Sequence, residues 1–295
     1  MKLSLEEKKI RKGKPVGLPY QGSKKKISKK IVEIIKQNFG TDKPIYDIFG
    51  GGGAITAECV LNGLKVYYND LDKTITDMFQ RVVSQDREWI KTLIVSREEF
   101  LYIKEKQEKS VDDELKLLVN SFGNNRKGYL YSAEWSGMKY NLAIDIITKH
   151  DVFNGYKQTD TYKNAKRPYD KGKCERTKVL QQLQQLQQLE HLQRLQQLER
   201  LESTNLSYDY FSDVKDSILY LDPPYEGTHN YYKFEFDSLA FYDWAYKIAE
   251  NNIVLISSYD IPDDRFEEVY RFDKARSTLQ GGCHNSKREK LFMVK

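Results

Sequence analysis

Asp222-Pro223-Pro224-Tyr225 follows directly on the apolar run Ser217-Ile218-Leu219-Tyr220-Leu221. Such a run reads as a buried strand, which puts the tetrapeptide at a strand's carboxyl end, where open α/β sheets bind ligands. These residue types suit an amine whose lone pair is delocalised into a ring, as in adenine. The Asp222 carboxylate can accept one amine hydrogen. The Pro223 carbonyl, directed by the rigid Pro223-Pro224 turn, can accept the other, which favours a pyramidal nitrogen. Tyr225 would stack on a base that has left its duplex, a contact worth about 1–3 kcal/mol. The bland alternative is a tight turn with no chemistry.

A second constellation lies upstream. Gly50-Gly51-Gly52-Gly53 stands between the apolar run Pro44-Ile45-Tyr46-Asp47-Ile48-Phe49 and a helical stretch, so its backbone can approach a ligand with no Cβ in the way. Asp70 comes twenty residues after Gly50, at the end of the next apolar run, where a carboxylate can accept hydrogen bonds from both hydroxyls of a ribose. Ala54-Ile55-Thr56-Ala57 follows Gly53, so the third glycine of a pyrophosphate-binding turn is missing. A nucleoside without pyrophosphate fits better than a dinucleotide. A flexible turn plus a helix cap is the competing account of these residues.

The elements that must position these groups can be read from periodicity. Ile27, Ile31, Ile34 and Ile35 fall on one helix face, ended near Phe39-Gly40. A strand over 44–49, a helix over 54–62 capped by Gly63, and a strand over 64–68 make a βαβ unit and predict a parallel sheet. The patterns over 78–103 and 112–122 are helical, whereas 123–178 reads as loop-rich and basic. The end of the chain returns to strands at 217–221, 253–257 and 291–294, with a helix over 238–250 between the first two. A doubly wound α/β sheet interrupted by a mostly helical or loop insertion is the expected architecture. Its two ends, 1–94 and 203–295, should fold together around an insertion at 95–202.

Leucine recurs every third residue, eight times, from Leu180 to Leu201, with Gln, Glu, Arg and His between. Three residues advance an α-helix by about 300°, so these leucines wind around a helix instead of forming the stripe of a coiled coil. An irregular or partly buried helix competes evenly with tight turns or local disorder.

Residues 1 to 30 carry eleven Lys or Arg against Glu6 and Glu7, within a net charge of +5. This basic start is expected to be mobile; its charge could reflect a polyanion partner, while a solvated tail or a lysine-rich helix face gives the same count. Cys59, Cys174 and Cys283 form no CxxC pair, so neither a disulfide framework nor a zinc site is expected. No apolar run approaches the length of a membrane span, and a soluble cytoplasmic protein without metal is expected.

Taken in order, Tyr20-Gln21-Gly22-Ser23-Lys24, Asp47-Ile48-Phe49-Gly50-Gly51-Gly52-Gly53, Asn69-Asp70 and Asp222-Pro223-Pro224-Tyr225 resemble the D12 class of adenine-specific DNA methyltransferases, the family of the Dam-type enzymes. The resemblance covers about 18 to 80 and 203 to 295. It departs in Tyr20, where members commonly carry Trp, and in the run of four glycines. It implies a Rossmann-like methyltransferase sheet, S-adenosylmethionine as cofactor, double-stranded DNA as substrate, and a monomer or weak dimer. Tyr20 and Lys24 would contact the adenosine or methionine end of the cofactor and Asp70 its ribose, with Asp47, Phe49, Gly50 and Gly52 around them, while Asp222 lines the transfer site.

The family places its DNA-reading part between the ribose carboxylate and the Asp-Pro-Pro-Tyr motif. There Asn124, Arg126, Lys127, Tyr129 and Tyr131 mix amides, cations and rings that could read or stack bases, or form an ordinary polar loop. Lys287 and Arg288 are candidates for holding the DNA backbone, equally readable as a solvated loop. His229 is read as surface, because amine methylation needs no prior deprotonation. Two competing functions remain: transfer to another planar amine, such as RNA adenine or cytosine N4, and a silent nucleic-acid binder. Asp222 favours adenine, and a binder needs neither Asp70 nor Asp222.

Overall fold

The computed structural model of the protein describes residues 2–19, 23–170, 183–198, 201–224, 236–273 and 288–295, and the side chains of all these but 166–170. In chain order the strands are β1 Ile45–Asp47, β2 Val66–Asn69, β3 Ser203–Thr204, β4 Ile218–Leu221, β5 Ile253–Ser258, β6 Phe266–Arg271 and β7 Lys290–Val294. The helices are α1 Ser28–Phe39, α2 Ala54–Leu61, α3 Lys73–Ser84, α4 Arg87–Lys91, α5 Arg97–Glu105, α6 Val111–Val119, α7 Ala133–Lys149, α8 Asp160–Asp170, α9 Gln184–Leu195 and α10 Ser238–Ile248. The chain divides into two compact units. One comprises Met1–Val16, Gly22–Thr76 and Leu201–Lys295, the other Gly17–Gln21 and Asp77–Arg200.

The first unit is built on a seven-stranded sheet of order β3-β2-β1-β4-β5-β7-β6. β1 pairs in parallel with β2 and β4, β4 with β5, and β2 with β3, while β7 runs antiparallel between β5 and β6. This is the doubly wound Rossmann-like architecture, and its strand order reverses between β1 and β4. Ligands bind at such a reversal, beyond the carboxyl ends of the strands.

Alternation along β4 builds both layers. Ile218 and Tyr220 join one core with Ile31, Ile34 and Ile35 of α1 and Ile55 and Cys59 of α2, whereas Leu219 and Leu221 join a second core with Phe241, Ala245 and Ile248 of α10. A strand buried on both faces is apolar throughout, as 217–221 is. α2 ends as its glycine predicts: Gly63 has φ of 73°, Gly63 N–H donates to Val60 O, and Leu64 N–H donates to Cys59 O. Leu64 and Cys59 then share a core, completing a Schellman cap.

The basic start is not a mobile tail. Leu3 N–H donates to Val269 O and its side chain is buried. Arg11 grips the buried Glu58 through Nε at 2.7 Å and Nη2 at 2.8 Å, and Glu6 and Glu7 pair with Lys9 and Lys30. Its cations are partly matched, by Glu6 and Glu7 within the segment and by Glu58, which a count over 1 to 30 overlooks.

The second unit is helical. The pattern over 78–103 is three helices, because Asp86 caps α4 through Trp89 N and Ser96 caps α5 through Glu99 N. α6 carries a full Ser110/Asp113 capping box. The expected loop over 123–178 contains the 17-residue α7. Its buried face is Ser136, Lys139, Ala143 and Ile146, only half of it apolar, so no clear stripe marks it in sequence.

Within the leucine repeat, Gln184–Leu195 form α9. Leu183, Leu186, Leu189, Leu192, Leu195 and Leu198 all have zero exposure. Leucines that wind around a helix can all be buried only where neighbours enclose it, and α4, α6 and the turn at Val152–Asn154 pack against α9. Gln185, also fully buried, donates to Asn120 Oδ1 at 2.6 Å and Tyr129 Oη at 3.1 Å. Among the described residues no helix is long and apolar enough to cross a membrane, and no His, Cys, Asp and Glu cluster could hold a metal.

Candidate active site

The first unit gathers its polar side chains at the carboxyl ends of β1, β2 and β4. Beyond β1 the glycine loop closes on itself through Gly53 N–H to Gly50 O at 2.8 Å, with Gly51 and Gly53 at φ of 48° and 68°. A Cβ on Gly50 would lie 2.4 Å from the Tyr68 ring. Glycine at 50 is therefore required by β2 itself, and Tyr68 Oη donates to Gly51 O at 2.7 Å to hold the loop down.

Asp70 is tied to the same loop. Gly51 N–H donates to its Oδ2 and Asp72 N–H to its Oδ1, each at 2.8 Å. Each oxygen keeps a second lone pair for a further donor. Burial raises the Asp70 carboxyl to about 6 despite these two amides. Its neighbour Asn69 serves the sheet instead. The Asn69 amide donates to Ile48 O and Leu206 O, and its oxygen accepts from Thr204 Oγ1 and Leu206 N, which staples β1, β2 and β3.

Asp47, 1% exposed, ends β1 beneath the loop. Thr56 N–H and Oγ1 both donate to Oδ2, at 3.0 and 2.6 Å. Burial still raises the carboxyl to about 7, and the charges of Asp222 and Asp70 add to the rise. Phe49 enters an aromatic wall with Tyr208, Phe236 and Phe241, at centroid distances of 6.2, 6.0 and 5.6 Å.

At the end of β4, Asp222 Oδ1 accepts from Lys24 Nζ at 2.6 Å. Lys24 also lies 3.7 Å from Glu289 Oε1, and Ser257 Oγ donates to that same oxygen at 2.8 Å. Burial disfavours the Lys24 charge, but Asp222 and Glu289 outweigh it and hold its proton more tightly than usual. Pro223 is buried, and the Tyr220 hydroxyl is pushed well up, by burial first and then by Asp222.

The sequence-derived set thus divides. Lys24, Asp47, Phe49, Gly50, Gly52, Asp70, Asp222, Pro223 and Pro224 belong to the first unit. Tyr20, Tyr225, His229 and Lys287 lie outside the described residues. Arg288 is exposed just before β7. In the second unit Tyr129 and Tyr131 are buried and packed edge to face at 6.0 Å; Tyr129 Oη donates to Val95 O, and the Lys139 ammonium lies 4.3 Å from the Tyr131 ring centre. Their rings are core residues in this structure. Asn124 and Arg126 adopt positive φ, Arg126 pairs with Glu114 at 2.8 Å, and Lys127 is exposed.

Sequence reasoning missed Thr56, Ser257 and Glu289. Glu289 has no spacing signal at all, because it reaches the site only through the antiparallel direction of β7, which places that strand's first residues beside the end of β5.

A family model described as D12 class N6 adenine-specific DNA methyltransferase matches residues 20–252. No curated protein matches the chain. Among solved structures, the rRNA methyltransferase aviRa from Streptomyces viridochromogenes is similar at 9% identity and a TM-score of 0.37, over 90% of this chain and 84% of that one.

Proposed function

Since the chain belongs to the D12 class of N6 adenine-specific DNA methyltransferases, we propose that Asp222 holds the adenine amine and that the glycine loop, Asp47 and Asp70 hold S-adenosylmethionine. The enzyme methylates the exocyclic amine of adenine in DNA, and its family uses a methyl donor of this kind. The observation that carries the residue assignment is the meeting of the β1 loop, Asp70 and Asp222 at the reversal of strand order.

The residues fit the cofactor. Asp70 has lone pairs beyond the two backbone amides, as ribose hydroxyls need, and the buried Asp47 and Asp70 carboxyls, both raised, would ionise more readily beside a cation. The aromatic wall around Phe49 offers an apolar face for a purine. When bound, S-adenosylmethionine would supply an activated methyl on a sulfonium, and the amine nitrogen that took it would release a proton to water. Asp222 accepts an amine hydrogen and so directs the nitrogen lone pair at the methyl. Pro223, buried and rigid, fixes the backbone carbonyl that accepts the other hydrogen.

The second unit is assigned to DNA recognition, with Asn124, Arg126 and Lys127 as its candidate contacts, Arg288 as a backbone contact on the first unit, and double-stranded DNA as the substrate. The test is transfer of a labelled methyl group from S-adenosylmethionine to unmethylated genomic DNA, with total RNA in parallel, followed by nucleoside analysis. Label in N6-methyladenine of DNA is expected. Label confined to RNA would keep the chemistry and overturn the substrate.

A further inference from the structure

Beside the motif residues of the site stands a buried carboxylate that no motif includes. Glu289 is 3% exposed, precedes β7, and is absent from every motif of the sequence. Burying a carboxylate is costly unless it is paired and hydrogen-bonded. Here the partners are the fully buried Ser257, whose Oγ donates at 2.8 Å, and Lys24 at 3.7 Å. Lys24 in turn lies 2.6 Å from Asp222, so two carboxylates flank one ammonium in a row that ends on the transfer site.

We propose that Glu289 is a positioning residue for methyl transfer: through Lys24 it orients Asp222 and keeps the row at one net negative charge. This rests on the assignment of Asp222 to the adenine amine. Methyl transfer brings a positive charge onto the amine nitrogen, within hydrogen-bonding distance of Asp222. A lone Lys24–Asp222 pair is neutral and stabilises that charge weakly. With Glu289 added, the charges are minus, plus and minus, and the nitrogen faces a net anion in a poorly screened site. The same charge attracts the sulfonium before reaction. Ser257 fixes Glu289 by its hydroxyl, and Lys24 is held by two carboxylates, so Asp222 is restrained before an amine arrives.

The experiment compares the full-length chain with Glu289→Gln, Glu289→Asp and Ser257→Ala, in three measurements. Single-turnover methylation of unmethylated genomic DNA should fall about tenfold in Glu289→Gln with its dependence on DNA concentration unchanged, the size expected of one charge acting through another. The alkaline limb of its pH–rate profile should move to lower pH, because Lys24 has lost one of the carboxylates that hold its proton. Calorimetric binding should show a weakened preference for S-adenosylmethionine over S-adenosylhomocysteine, which differ by the positive charge and its methyl group. Glu289→Asp should recover part of each effect, and Ser257→Ala should show the same directions at smaller size.

A Glu289→Gln protein with wild-type rate, pH profile and cofactor preference overturns the proposal. If Glu289→Gln does not fold, Ser257→Ala decides: a wild-type profile and preference there overturn it equally. The binding preference needs no methyl transfer, so a wild-type chain that left DNA unlabelled would count against the functional assignment while the Glu289 result was still read.

Discussion

The carboxylates at the sheet end of the first unit are displaced in the opposite direction to Asp112 and Asp113 of the second. At the sheet end of the first unit, burial raises Asp47 to about 7 and Asp70 to about 6. In the second unit Asp112 is lowered by its hydrogen bonds from Arg81, and Asp113 is lowered because Lys106 and the Ser110 cap overcome its burial. Asp112 and Asp113 are answered by cations of their own unit, Arg81 and Lys106. Asp47 and Asp70 at the sheet end are under-compensated by the described residues, which makes them ready for a cation.

Asp222→Ala is the strongest way to break that contrast. It should reduce single-turnover methylation by about 10³-fold while calorimetry still detects cofactor binding. A rate within a few-fold of wild type would remove Asp222 from the chemistry. Next in size, Leu189→Ala in the enclosed α9 should lower stability by roughly 3 kcal/mol in urea unfolding, with cofactor affinity unchanged at temperatures where the protein stays folded. A small loss of stability would mean that α9 is not enclosed.

The smallest effect concerns pH, and its sign differs between the site pair Asp47 and Asp70 and the pair Asp112 and Asp113. Asp47 and Asp70 bind protons more tightly folded than unfolded, so their contribution to the ligand-free fold is full below about pH 4 and is lost as the pH rises through about 6 to 7. A bound cation reverses this. S-adenosylmethionine affinity should therefore fall about tenfold from about pH 8 to about pH 5.5, with proton release on binding seen by calorimetry in two buffers. Asp112 and Asp113 contribute above the ordinary carboxylate range and lose their contribution only below about pH 4, which circular dichroism of an acid titration would follow. A pH-independent affinity would show that neither site carboxyl changes ionisation on binding.

Much of the first unit was legible because its signals are local. Gly63 announces a helix end, the apolar run 217–221 announces a doubly covered strand, and Asp70 follows the glycine loop at a spacing set by one βαβ unit. Glu289 and Ser257 were illegible because only the pairing of β7 with β5 makes them neighbours. In the second unit α7 hid behind a buried face half polar in composition, and the leucine repeat could not be resolved because its burial depends on helices that enclose it. Tyr129 and Tyr131 look like base-stacking residues in sequence, yet the same rings serve equally as core.

The period of α9 also governs how this chain can change in length. One Leu-x-x unit spans about 4.5 Å of helix and turns it by about 300°. If a unit is gained or lost, the sequence slides through the helix by three places and each buried position again receives a leucine. The position of Gln185 receives Gln182 or Gln188 in its place, so the amide facing Asn120 and Tyr129 is renewed as well. A stretch that in most proteins would tolerate no insertion is, inside this core, interchangeable with itself, and the cost of altered length falls on the connections at its two ends.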